Sequence, residues 1–179
     1  IGLLPFADSS TEIGFSTYST SKVGATDSEY ENAGAFLYAI DFAFIKQIPA
    51  IKGFIDIKGQ YNNSNIDDAT YTEVHEDGDE EEYTFDNKSN SLYAQLSYRP
   101  TMASSDFLKK LELVGRYSNL NTPEGAEWEE QSDQYAFGLN YWLTWRSVLK
   151  VAYQTTDSVG GHDGGGTTNS FFVHWAIGF

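Results

Sequence analysis

Six basic side chains, Lys52, Lys58, Arg99, Lys110, Arg116 and Lys150, stand in segments where polar and apolar residues alternate, each on the polar side of the alternation. Asp41, Asp56 and Glu112 share that side. The set is net basic in a chain whose formal net charge is -15, so a wall built from it would draw an anion inward by Coulomb attraction. Rings of Lys and Arg select anions in this way. A structural reading stands beside this one: the same charges pair across strands and fill an interior.

Covalent chemistry finds no comparable grouping. Ser, His and Asp are available, yet no Gly-x-Ser-x-Gly elbow occurs and nothing brings the three together. His75, His162 and His174 stand on separate segments without zinc-site spacing. The run HEDGDEEE, residues 75–82, offers carboxylate oxygens to a hard cation but lacks the ordered spacing of a calcium loop. It reads as a solvated stretch. GGHDGGG, residues 160–166, has no helix behind it to cradle a phosphate and reads as a loop tip. No catalytic residue, cofactor or metal is expected, and the protein is not expected to be an enzyme.

Charge and composition narrow the class further. Acids outnumber bases 26 to 11, against nucleic-acid binding through phosphate neutralisation. Ten of those acids crowd between Asp67 and Asp86, a block that suits a wet loop. Aromatics at 16% and sixteen Gly with four Pro favour strands and turns. The absence of Cys removes disulfides and thiolate sites and suits an oxidising compartment. No apolar run approaches the ~20 residues of a membrane-spanning helix, and no secretory leader pattern opens the chain. A length of 179 residues fits one domain.

The elements that would position the charges have the strand period of two. Eight segments are expected as strands: Thr11–Thr20, Ala35–Ile45, Lys52–Tyr61, Ser91–Arg99, Leu108–Ser118, Asp133–Trp142, Ser147–Thr156 and Ser170–Phe179. Their connections alternate in length. Residues 46–51, 100–107 and 143–146 are short, whereas 21–34, 62–90, 119–132 and 157–169 are long and rich in acid or glycine. A meander with all its long loops at one end predicts an all-β, antiparallel, up-and-down transmembrane β-barrel of eight strands, with 62–90 as a long acidic extracellular loop. Phe36, Ile40, Phe42, Leu139, Val151 and Trp175 would then face lipid. Tyr98, Tyr141, Trp142, Trp145, Trp175 and Phe179 would form an aromatic girdle at the short-turn end. A soluble lipocalin-type barrel, with these faces buried in a core, is the competing fold.

The closing stretch FFVHWAIGF, with Val173, Trp175, Ile177 and Phe179 on one face, looks like the assembly signal that barrel-insertion machinery reads in bacterial outer-membrane proteins. KLELVGRYSNL (110–120) and QYAFGLNYWLTWRSVLKVAYQ (134–154) resemble the phosphate-selective porin O and P family, as do GLLPFADSSTEIGFS (2–16) and GFIDIKGQY (53–61). The resemblance implies a Gram-negative outer-membrane location and passive diffusion of small polar or anionic solutes. It also implies contact with outer-membrane lipid and lipopolysaccharide, a homo-oligomer such as a trimer, or other envelope proteins. Members are similar to sixteen-stranded barrels of roughly twice this length. The eight segments are therefore either a complete small barrel with a non-conducting structural, adhesive or partner-binding role, or the C-terminal half of a larger one. An opening on Ile-Gly-Leu-Leu-Pro favours the half.

Overall fold

A computed structural model describes residues 2–5, 10–24, 31–68, 70–74, 80–126, 128–160 and 164–178. Phe179, His75, His162 and the centre of the acidic run lie outside them.

Each of the eight expected segments contains one strand of the sheet. In chain order the elements are β1 (Gly2–Leu3), β2 (Thr11–Thr20), β3 (Ala35–Ile48), β4 (Gly53–Ile66), β5 (Thr70–Val74), β6 (Glu80–Thr84), β7 (Lys88–Arg99), α1 (Asp106–Lys109), β8 (Leu111–Asn121), β9 (Glu130–Thr144), β10 (Ser147–Gly160) and β11 (Gly166–Ile177). Nine of the strands form one antiparallel sheet in the order β1-β2-β3-β4-β7-β8-β9-β10-β11, and β5 with β6 makes a separate hairpin. The expected closed eight-stranded barrel is corrected here. Among the described residues β11 does not pair with β1 or β2, so the sheet is open and already exceeds eight strands.

Register explains which face each side chain takes, because a one-residue slip would turn every side chain over. Leu113, Leu139, Val151 and Val173 lie directly opposite one another across four strands, and Phe15, Ile40, Tyr61 and Leu92 do so across another four. Three residues along each strand, and so on the other face, run Lys58, Gln95, Arg116 and Ala136. The apolar face is uncovered: Phe137 is 67% exposed, Phe171 66%, Val173 60% and Trp175 66%. Few apolar residues are buried, and most of those lie in or beside the loops, Ala33, Tyr71, Phe85 and Ala126 among them. A soluble barrel would place its large apolar residues in a core; this chain displays them. No helix among the described residues is long and apolar enough to cross a membrane.

The short connections are tight. Residues Pro49–Ile51 form a single 3-10 turn ended by Lys52 in the left-handed conformation, φ 52°. Beside it the Tyr98 hydroxyl donates to the Ile51 carbonyl at 2.8 Å, and its ring lies over Gly53, where a methyl group would overlap it. Leu108–Lys110, expected as strand, belong instead to the helical turn α1 and its cap. Asp106 at the start of that turn pairs with Lys109 at 2.9 Å, and this neighbour holds its carboxyl below the usual carboxylate range. Between β9 and β10 a register shift at Ser147/Val148 drops Leu143 from the ladder and pairs Val148 with Trp142.

At the other end the strands run past their expected limits. β4 continues through Asn62–Ile66, β8 through Asn119–Asn121, and β10 and β11 absorb most of residues 157–169. Polar residues predominate on both faces there, with Ile66, Leu120 and Val159 as isolated exceptions, so no apolar alternation marks them. Side-chain ladders hold them instead: Asn121 donates to Asn90 at 3.0 Å and to Asn119 at 2.8 Å, Tyr117 and Asn119 donate to Asp133 at 2.6 and 3.1 Å, and Thr167 donates to Asp157 at 2.6 Å.

The acidic loop is likewise not featureless. It folds as the β5–β6 arm, whose Tyr71 stacks on Phe85 at 4.8 Å and on Tyr83 at 5.5 Å. Trp128, from the β8–β9 connection, stands edge-on to Tyr71 at 5.8 Å and to Phe85 at 5.4 Å. Ala126 is buried in the same cluster, and Pro123 of that connection is fully buried. Two long connections are thus fastened by one small aromatic core.

Two outcomes follow from this arrangement. Leu139→Arg on the apolar face should cost roughly 2–4 kcal/mol in urea unfolding from phospholipid vesicles, while Gln154→Lys on the polar face changes the midpoint little; equal costs on both faces would remove the two-sided assignment. Phe85→Ala should loosen the arm by about 3 kcal/mol, seen as faster limited proteolysis within residues 70–84 with the sheet's thermal transition unmoved. Unchanged cleavage would show that the cluster does not hold the arm.

Candidate functional site

The polar face of β4, β7, β8, β9, β10 and β11 lines a concavity of about 770 Å³. Three lateral rows build it. Nearest the short turns stand Glu112, Asn140, Lys150 and His174. The middle row is Asp56, Ser97, Val114, Gly138, Ala152 and Phe172, and the third is Lys58, Gln95, Arg116 and Ala136, continued past the concavity by Gln154 and Ser170. Successive rows are two residues, or about 7 Å, apart along each strand. From β8 to β11 charge therefore flanks a strip of small and apolar side chains, while Asp56 and Ser97 continue that row on β4 and β7.

Each charged group on this wall has a distinct setting. Lys58 pairs with Asp56 on its own strand at 2.8 Å, a half-exposed contact of small net worth. Glu112 is held by neutral donors: Asn140 Nδ2 at 2.7 Å and Trp142 Nε1 at 3.2 Å. Arg116 lies over the Tyr93 ring, 4.4 Å from its centroid, and its Nε donates to Ser118 at 3.1 Å. Arg99 lies over Trp142 at 5.3 Å. Arginine over an aromatic face keeps its charge while gaining about 0.5–1 kcal/mol. Among the described residues Arg99, Arg116 and Lys150 have no carboxylate partner, so the charges do not simply cancel. No group of three or more metal-binding side chains gathers among the described residues.

The basic residues named from the sequence divide into two sets. Lys58, Arg99, Arg116 and Lys150 border the concavity. Lys52 and Lys110 sit in the short connections, one in the left-handed turn position and the other capping α1. Asp41 lies on the same face nearer the β2 edge, opposite Gly14. A side chain at Gly14 would overlap that carboxylate, so glycine makes room for it. Trp142, assigned by sequence to the girdle, turns inward to the concavity because it shares the parity of Asn140 on β9; the register shift at Ser147 lies beyond it. Phe54, Tyr93, Asn140, Phe172 and His174 also face this side and were not singled out. Tyr93 and Phe172 were signalled by their parity, lying on the polar side of otherwise apolar-alternating segments.

Of the terminal set, Val173, Trp175 and Ile177 stand on the apolar face of the edge strand β11, with Trp175 Nε1 donating to Ser147 at 2.9 Å. Phe179 lies outside the described residues. Trp145, 78% exposed, carries Arg146 over its ring at 4.0 Å, and Phe107 meets Tyr141 at 5.5 Å. Aromatic side chains thus border the apolar face at its short-turn end.

A curved antiparallel sheet with a wet inner wall and an uncovered apolar outer wall is the construction of an outer-membrane β-barrel porin. The family model described as phosphate-selective porin O and P matches residues 16–162, and the chain belongs to that family. No curated protein and no solved structure matches the chain.

Glu112→Ala should lower the unfolding free energy by about 1–3 kcal/mol, because the Asn140 and Trp142 donors lose their acceptor. Glu112→Gln, which keeps an acceptor oxygen, should cost less. Identical urea midpoints for the two variants would mean that these hydrogen bonds contribute nothing.

Proposed function

We propose that the protein forms part or all of an outer-membrane channel of a Gram-negative bacterium, through which small polar and anionic solutes diffuse passively, and that it catalyses no reaction. The observation that carries this reading is the inner wall: four cations border the concavity against two carboxylates, within a chain of net charge -15. In a water-filled passage such a wall concentrates anions and repels cations. A sheet that passes eight strands without closing also supports a lumen wider than the side-chain-filled interior of an eight-stranded cylinder. Membership of a porin family supports the same conclusion.

On this reading the apolar wall contacts membrane lipid, lipopolysaccharide surrounds the long-loop end, and residues 62–90 face the cell exterior. The β11 edge, with Val173, Trp175 and Ile177, is the segment offered to the barrel-assembly machinery, and part of the apolar wall serves a homo-oligomeric contact. The full-length protein in planar bilayers should conduct ions with a preference for anions. Replacing both Arg116 and Lys150 with Glu should shift the reversal potential toward cations. A silent bilayer, with folding verified by heat-modifiable gel migration, removes the channel. An unmoved reversal potential removes the two side chains from its path.

A further inference from the structure

The middle row of the concavity is unusual for a water-lined wall. Val114, Gly138, Ala152 and Phe172 follow one another across β8 to β11, with Ala136 adjacent in the next row. Phe172 is 39% exposed, although its parity places it on the polar face. Gly138 is not forced by crowding, since a methyl group there would come no nearer than 3.5 Å to any neighbour. The floor is therefore low and apolar by composition, with open space above it. On one side stands Arg116, positioned by Tyr93 and Ser118 with its terminal nitrogens making no hydrogen bond among the described residues. On the other stands Lys150, exposed and without a partner among the described residues.

The two cations lie on rows four residues apart, on the order of 13 Å along the strand direction, with the apolar strip between them. A small hydrated inorganic anion engages one cation and leaves the strip wet. An organic anion with an aromatic or aliphatic body covers the strip while its carboxylate meets Arg116 or Lys150, gaining both apolar burial and a charge-assisted hydrogen bond. The geometry points to an amphiphilic subsite in the concavity for organic carboxylates that carry an apolar body. It rests on the channel reading for its physiological meaning, since it names the class of solute that the wall holds best, but binding can be read without conduction.

The test titrates the full-length protein in detergent micelles with benzoate, acetate and uncharged benzamide by calorimetry. Benzoate should bind at least about tenfold more tightly than acetate, a difference within reach of partial ring burial, and benzamide should bind more weakly than benzoate. Gly138→Trp and Ala152→Phe, made separately to fill the floor, should bring benzoate down to the level of acetate and leave acetate unchanged. Should either filled variant fail to fold, the Arg116→Gln, Lys150→Gln double variant supplies the second reading: its benzoate affinity should fall about tenfold toward that of benzamide. Equal affinities for benzoate and acetate in the unmodified protein overturn the subsite and leave the channel standing, as does benzoate binding that ignores every substitution. Benzoate binding lost on filling the floor, in a protein that does not conduct, keeps the subsite and overturns the channel.

Discussion

A backbone that crosses hydrocarbon has no water to satisfy its N–H and C=O groups, so each must be paired within the protein. In this chain the requirement is met sideways between β2 and β11 by seven long antiparallel ladders, and among the described residues only the outer edges of those two strands are left largely unpaired. The remaining features follow from that pairing. Because side chains alternate with a period of two, fixing the ladders fixes the face of every residue at once. Leu139 cannot turn toward lipid unless Asn140 and Gly138 turn inward, and the lateral rows of the concavity are the necessary counterpart of the apolar rows behind them.

The same constraint explains how charge is kept on the inner wall. A lysine or arginine there cannot leave its row, so its energy depends on what the neighbouring rows offer. Arg99 and Arg116 are held over Trp142 and Tyr93, and the nearby carboxylate Glu112 is occupied by neutral donors. Stacking on rings fixes the position of a guanidinium without neutralising it, where a salt bridge would do both. The wall remains electrostatically active for that reason, inside a molecule whose total charge has the opposite sign.

What could be read from the sequence, and what could not, divides at the edge of the apolar face. Where one face is apolar and the other polar, as in Leu113 to Tyr117 or Tyr135 to Tyr141, alternation placed strands correctly and gave the side of Lys58, Arg99, Arg116 and Lys150. Beyond Tyr61, Tyr117 and Tyr153 both faces are mostly polar, the signal vanishes, and strand reads as loop although asparagine and threonine ladders continue it. The β5–β6 arm was hidden differently, since its acids dominate the composition while its order comes from Tyr71, Tyr83 and Phe85 meeting Trp128, a residue more than forty positions later. Trp142 was misplaced because its residue type and its position beside a short turn suggested a girdle, although its parity with Asn140 already put it on the inner face. The openness of the sheet was equally illegible, because closure is a property of pairing between distant strands.

The polar extension of β4 from Asn62 to Ile66 acts as a stilt. Five residues at about 3.4 Å each, on a strand inclined as in membrane barrels, lift the root of the arm roughly 12 Å above the last apolar ring. Counter-ions in physiological saline mute electrostatic forces over about 8 Å. On the orientation proposed above, the root of the arm therefore stands more than one such screening length from the apolar wall, and the arm's charge weighs little on the part of the sheet that meets hydrocarbon.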